Sequence, residues 1–320
     1  MAAVATSLLS SFAQDVQEGL TAKPKHLSSK YFYDDAGSRI FMEIMKMPEY
    51  YPTACEFEIL SQQSAQILKQ LQFSGAFNIV EFGSGDGMKT KHLLKAFTAA
   101  EATFTYIPID ISQEAIDALK VNINAYVPGI SMQPRTGDYF NVLEELSNSE
   151  LPNLFLFLGG NIGNYKQEDA LALLRKFNGG MKKGDKLLMG LDLQKNPRTV
   201  QLAYDDPHGI TKAFNINLLR RINNELEADI SLDQFDFYSN YNPQNGEVNS
   251  YLVSLKKQHF HSTLLNQTFF FERDELVWTE LSKKYSLTEI NEIAVASGFN
   301  VAHNFMDCKH YFTDSLWEKV

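Results

Sequence analysis

Between residues 61 and 193 short apolar runs alternate with longer helical patterns, and this alternation limits the fold more than any other feature of the chain. Residues 60–71 read as a helix, 77–82 as a buried strand and 89–99 as the next helix. Strands are expected at 103–109, 153–158 and 185–193, with a weaker one at 131–136, and helices at 112–124 and 168–177. Strand-then-helix order of this kind specifies a parallel sheet covered on both faces. The pattern breaks near residue 195. A long helical stretch is expected over 200–226, and strand-like alternation over 247–260 and 267–276. Helical texture returns at 287–297, with Gly298 placed as a C-cap, and 300–305 and 311–317 read as closing strands. Residues 1–60 look mainly helical, but Pro48 and Pro52 forbid one continuous helix. The expected architecture is α/β: a doubly wound domain over 61–195 plus 286–320, and a discontinuous α+β lobe over 1–60 plus 196–285.

Charge narrows the function. The 320 residues carry 29 Lys and Arg against 39 Asp and Glu, a net charge of −10, which disfavours nucleic-acid and anionic-membrane binding. Two cysteines, Cys55 and Cys308, exclude a disulfide scaffold and a four-thiolate metal site. Residues 1–14 read as an amphipathic helix and not as a signal peptide. The longest apolar run, 154–158, is far short of the roughly 20 residues needed to span a bilayer. A cytoplasmic protein is expected, and free thiols fit a reducing compartment. His259 and His261 form the one close histidine pair, and on a strand they share a face that reads as solvated or packed; no metal is expected.

The chemistry concentrates at the first strand-to-helix junction, Glu81-Phe82-Gly83-Ser84-Gly85-Asp86-Gly87-Met88-Lys89. Glycines there let backbone approach a ligand and adopt positive φ. The spacing is G-x-G-x-G, so the dinucleotide pattern fails at its third glycine, which weakens NAD as the cofactor. An acid two residues before the first glycine resembles the first motif of Rossmann-like S-adenosylmethionine methyltransferases. Asp110, followed by Ser112, ends the next strand 110 − 83 = 27 residues after the first glycine, where an acid can accept from ribose hydroxyls. Asp138 and Tyr139 follow the third strand, placed for an adenine amino group and a purine face. The plainer alternative is a tight turn with two helix-capping aspartates. Three elements in order favour a cofactor site.

Long strings then carry a resemblance to the histidine Nα-methyltransferase family of ergothioneine biosynthesis, over essentially the whole chain. They are residues 30–35 (KYFYDD), 47–53 (MPEYYPT), 81–85 (EFGSG), 158–164 (LGGNIGN), 203–206 (AYDD), 214–217 (FNIN) and 279–284 (TELSKK). The resemblance implies a class I methyltransferase domain with a substrate lobe made from the N-terminus and an insertion. It implies S-adenosylmethionine as cofactor, held by Glu81, Gly83, Gly85, Lys89, Asp110, Ser112, Asp138 and Tyr139. It further implies that Tyr50, Asn164 and Tyr204 clamp the amino acid, the last two at its carboxylate. Glu280 and Ser282 would meet the imidazole, and Tyr33 would lie near the reacting amine. Ser250 departs, since the family usually has a methionine there, and a smaller polar wall could admit another side chain.

The expected reaction is methyl transfer to the α-amine of L-histidine, three times, by a monomer acting on a small molecule. Alternatives are methylation of another, aromatic amino acid, an RNA methyltransferase, and a non-catalytic binding module that keeps the fold.

Overall fold

The computed structural model describes residues 2–110, 112–137, 142–144 and 149–320, with side chains from residue 11 onward. They divide into two compact units, Met1–Tyr51 with Lys195–Ser282, and Pro52–Gln194 with Lys283–Val320. The expected boundaries at 60/61 and 285/286 differ from these. Residues 52–60 fall in the second unit because their side chains bond there: buried Glu56 accepts from Lys89 and Gly159, and half-buried Glu58 from the Cys308 N–H.

In the first unit, helices α1 (Ala2–Thr21) and α2 (Asp35–Lys46) precede a sheet built mostly from the 195–282 segment. Strand β1 (Lys25–His26) runs parallel to β11 (Leu276–Lys283), which neighbours β8 (Glu247–Ser254) and then β7 (Phe235–Asn242). Strands β9 (Gln258–Ser262) and β10 (Gln267–Phe271) form a separate hairpin. Strand β7 lies outside the expected strands. Its sequence, FDFYSNYN, places polar residues where most positions are only half-buried, so no apolar alternation announces it. The helical stretch expected over 200–226 is two helices, α8 (Pro197–Tyr204) and α9 (Ile210–Glu225). Asp206 causes the break: its carboxylate accepts from the backbone N–H groups of His208, Ile210 and Thr211, while Gly209 turns at φ 71°. Phe12 and Val16 of α1, Phe214 and Leu218 of α9, and Phe235, Leu252 and Val277 of the sheet share one core.

The second unit is a seven-stranded sheet. Its strands are β2 (Phe77–Phe82), β3 (Phe104–Asp110), β4 (Arg135–Thr136), β5 (Asn153–Phe157), β6 (Lys186–Asp192), β12 (Phe299–Met306) and β13 (Phe312–Lys319). The order is β12-β13-β6-β5-β2-β3-β4, parallel from β6 to β4 and antiparallel at the β13 and β12 end. The weak strand expected at 131–136 shrinks to the two residues of β4, with Met132 making only an isolated bridge to Tyr106. Every residue of β2, β5 and β6 is buried, which explains their unbroken apolar texture. The segment expected as a helix from residue 60 is α3 (Tyr51–Gln62), a break at Gln63, and α4 (Ser64–Leu71). Pro52 sits in the first turn of α3, where its missing N–H costs nothing. Helices α5 (Thr90–Ala99), α6 (Gln113–Tyr126), α7 (Gln167–Gly180) and α10 (Leu287–Ala296) complete the crossovers and cover. Chain order reverses between β2 and β5, and ligands of such sheets bind outside the carboxyl ends of strands at that switch point. This strand order, with an antiparallel closing pair, is the class I methyltransferase arrangement of a Rossmann-like fold.

Candidate active site

The loop after β2 lies at the switch point. Gly83 and Gly85 have φ of 65° and 53°, and a Cβ on either would meet nothing within 4 Å. These two glycines serve backbone shape and leave open space above the loop. Gly87 differs, since its Cβ would come 3.0 Å from Ile123 of α6; it is a packing glycine. The loop is tied down by Gly83 N–H donating to the Ile109 carbonyl, 3.0 Å, and by Gly85 N–H donating to Asp110, 3.3 Å. Asp110 also accepts from the Ser112 N–H at 3.0 Å, and the Ser112 hydroxyl caps α6 by accepting from Ala115. The half-buried Asp110 carboxylate thus stands beside the open face of the glycine loop. An acid that can receive a pair of hydroxyls, next to backbone with no side chain in the way, fits the ribose and amino-acid parts of S-adenosylmethionine. Asp138 and Tyr139 lie outside the described residues.

Glu81 sits behind the loop, not on it. It is 4% exposed and takes hydrogen bonds from the Thr90 and Tyr106 hydroxyls. Burial raises its carboxyl to about 7, against the pull of those two hydroxyls and of Lys89. Lys89 donates to the buried carboxylate of Glu56. Burial opposes its charge, but the Glu56 carboxylate beside it keeps the ammonium protonated, above the usual lysine value. Asn164 ends the 3-10 turn Asn161–Asn164 that follows β5, half-buried.

In the first unit the remaining residues gather. The Tyr204 and Ser282 hydroxyls lie 2.9 Å apart, both buried. The Tyr204 ring meets Tyr50 edge-on at 6.1 Å, Tyr50 meets Phe41 at 6.2 Å, and Phe41 meets Tyr33 at 5.3 Å. Tyr33 also packs on Phe214 at 5.6 Å. Desolvation first, and then the negative charge of Glu280, push the Tyr33 phenol above its ordinary value. Tyr33 is aimed by its neighbour: Asp34 caps α2 through the Gly37 N–H, 2.7 Å, and accepts from Asn217 of α9, 2.8 Å. Thr279 donates to Asn215 at 2.7 Å, pinning β11 beside Glu280. Ser250 is 1% exposed, and neither its hydroxyl nor that of its cross-strand partner Ser239 has a hydrogen-bond partner among the described residues.

The profile of a family described as histidine-specific, SAM-dependent methyltransferase matches residues 12–319. The chain belongs to that family. It is an S-adenosylmethionine-dependent methyltransferase, and S-adenosylmethionine is its cofactor. A histidine N-alpha-methyltransferase of Mycolicibacterium smegmatis is 35% identical over 95% of this chain and 93% of that protein. One of Mycobacterium tuberculosis is 34% identical over 90% of this chain and 88% of that protein. An L-tryptophan methyltransferase of Psilocybe serbica is 28% identical over 92% and 89%.

Three residues of this methyltransferase escaped the sequence reading. Phe41 and Phe214 join the tyrosines into one aromatic chain, and Phe214 lies within one of the family strings. Glu56 lies four residues past Pro52, where an acid on a helix reads as solvated surface until its 1% side-chain exposure is known. Among the described residues no helix is long and apolar enough to cross a membrane.

Proposed function

We propose that the methyltransferase acts on the α-amine of free L-histidine and transfers three methyl groups in succession, to the trimethylated betaine. The single observation that supports this best is the gathering of Tyr33, Tyr50, Tyr204, Ser282 and Glu280 in the first unit. Phenols, a hydroxyl and a carboxylate in that set suit a zwitterion with a polar ring. Tyr204 and Asn164 hold the carboxylate as neutral donors. Glu280 and Ser282 take the two ring nitrogens, so a side chain lacking them leaves buried polar groups unpaired, the strong form of discrimination.

S-adenosylmethionine supplies an activated methyl group for in-line displacement. The chain's own part is alignment and the exclusion of water. Gly83, Gly85, Asp110 and Lys89 hold the cofactor, with Ser112 and Glu81 shaping the loop behind it and Asp138 and Tyr139 taking the adenine. Tyr33 accepts a hydrogen bond from the amine and steers its lone pair; an α-amine near pKa 8 is partly neutral at cellular pH. With carboxylate and ring held, the amine is the one nucleophile left free.

A second reading, methylation of another aromatic amino acid, is favoured by one observation: Ser250 puts a buried hydroxyl, without a hydrogen-bond partner among the described residues, where the family usually has methionine. The relative named for L-tryptophan is compatible with it. Mass spectrometry of products from an equimolar pool of free amino acids separates the two. A histidine betaine as the main product supports the first reading, and a methylated tryptophan or tyrosine replaces it with the second. The proposed enzyme is a cytoplasmic monomer acting on a small molecule, with neither nucleic acid nor membrane as partner; the free thiols Cys55 and Cys308 fit a reducing compartment.

A further inference from the structure

Glu56 is a buried acid with no place in the roles above, and it touches two parts of the second unit that do have places. One carboxylate oxygen accepts from the Lys89 ammonium. The other accepts from the Gly159 N–H at 2.6 Å, and Gly159 opens the segment that ends five residues later at Asn164. That segment is stiff. Gly159 and Gly160 have φ of 85° and 71°, Asn161 donates back to the Leu158 carbonyl at 3.1 Å, and Gly163 N–H closes the turn on Gly160 at 3.0 Å. The surroundings make room for the acid. A Cβ on Gly190 of β6 would collide with Glu56 and come 3.1 Å from the Gly159 nitrogen. Asp314 of β13 pairs with Gly190 across the ladder, and both its carboxylate oxygens are buried without hydrogen-bond partners among the described residues. Burial, and then the charge on Glu56, hold Asp314 protonated. Lys89 is thus the cation that Glu56 faces.

The geometry points to Glu56 as a positioning residue that couples cofactor binding, through Lys89, to amino-acid binding, through the Gly159–Asn164 turn. This rests on the proposed roles of Lys89 and Asn164. One rigid carboxylate with an ammonium on one oxygen and a backbone N–H on the other cannot shift toward either without pulling on both. Anything that moves Lys89 therefore moves the turn that carries Asn164.

The test uses the full chain and two probes, S-adenosylhomocysteine and L-histidine, titrated by calorimetry singly and together. Glu56→Gln keeps the acceptor for Gly159 but removes the charge facing Lys89. We expect its dissociation constant for S-adenosylhomocysteine to rise about tenfold, as for loss of a charged hydrogen bond. The apparent histidine constant, measured with S-adenosylhomocysteine saturating, should rise with it. In a Lys89→Met background both effects of Glu56→Gln should vanish, which a general loosening of the fold would not produce. Glu56→Asp, which keeps the charge, should recover part of the cofactor affinity, and it carries the same comparison should Glu56→Gln not fold. An effect on one ligand alone, or one that adds fully to Lys89→Met, overturns the proposal and leaves the methyltransferase reading standing. Failure of the wild-type chain to bind S-adenosylhomocysteine overturns both.

Discussion

The Tyr204 hydroxyl lies 2.9 Å from the Ser282 hydroxyl, joining residues 78 positions apart at the end of α8 and on β11. On the proposed function each would present the other to the substrate, Tyr204 for the carboxylate and Ser282 for the ring. Tyr204→Phe should raise KM for the amino acid about tenfold with kcat less affected. Ser282→Ala should cost a similar amount, and the double variant less than the product of the two. Full additivity in initial-rate kinetics would separate the two hydroxyls.

Tyr33 is 48% exposed, so its hydroxyl can be removed with little loss of stability. Tyr33→Phe should keep KM and the melting temperature near wild type, and lower kcat by about tenfold to a hundredfold on the unmethylated amino acid. Full kcat in this variant would end the role given to the phenol.

The glycines of the loop separate function from packing. Gly85→Ala places a methyl in open space at φ 53°, a strain of about 1 kcal/mol. Its melting temperature should fall only a few degrees, while its affinity for S-adenosylhomocysteine drops sharply. Gly87→Ala, pressed 3.0 Å from Ile123, should instead lose stability first. Fluorescence melts alongside calorimetry distinguish the two patterns.

Lys284 and Asp192 form a buried pair at 2.9 Å, with side chains 1% and 5% exposed. Lys284→Met leaves a buried carboxylate without its cation and should cost about 3–5 kcal/mol in denaturant unfolding. Replacing both residues by apolar ones of similar size should recover much of that loss.

Glu81 gives a pH dependence. Its folded-state pKa, about 7, lies above the ordinary value of 4.5, so the folded chain binds the extra proton. Stability from this group is full below about pH 4.5 and is lost as pH rises through 7. Between pH 5 and 8 the wild type should lose about 2 kcal/mol relative to Glu81→Gln. Parallel stability curves for the two proteins would contradict the assignment.

What the sequence revealed depended on the range of the interaction. Strand β2 matches its expected limits because six consecutive buried residues leave one reading open. Strand β7 was hidden because Ser239 and Asn240 dilute its pattern, and the break after Tyr204 because it depends on Asp206 reaching backbone ahead of it. The glycine loop and Asp110 are local in sequence and could be read directly. Glu56 could not, since its partners lie 33 and 103 residues away and only burial separates it from a surface acid. Nor could the cap by which Asn217 and Asp34 aim Tyr33, which joins residues 183 positions apart.

The chain leaves the second unit after Gln194 and re-enters it at Lys283. Leu193 and Tyr285 are bridge partners there, Gln194 N–H donates to the Tyr285 carbonyl at 2.9 Å, and the Lys284–Asp192 pair sits alongside. Departure and return are thus stitched together within one framework, so the 88 or so residues between them hang from a closed seam and not from two loose ends. A gene encoding 52–194 joined to 283–320 by a short turn has no gap to bridge. The sheet that carries the glycine loop is thereby closed at this seam by its own residues.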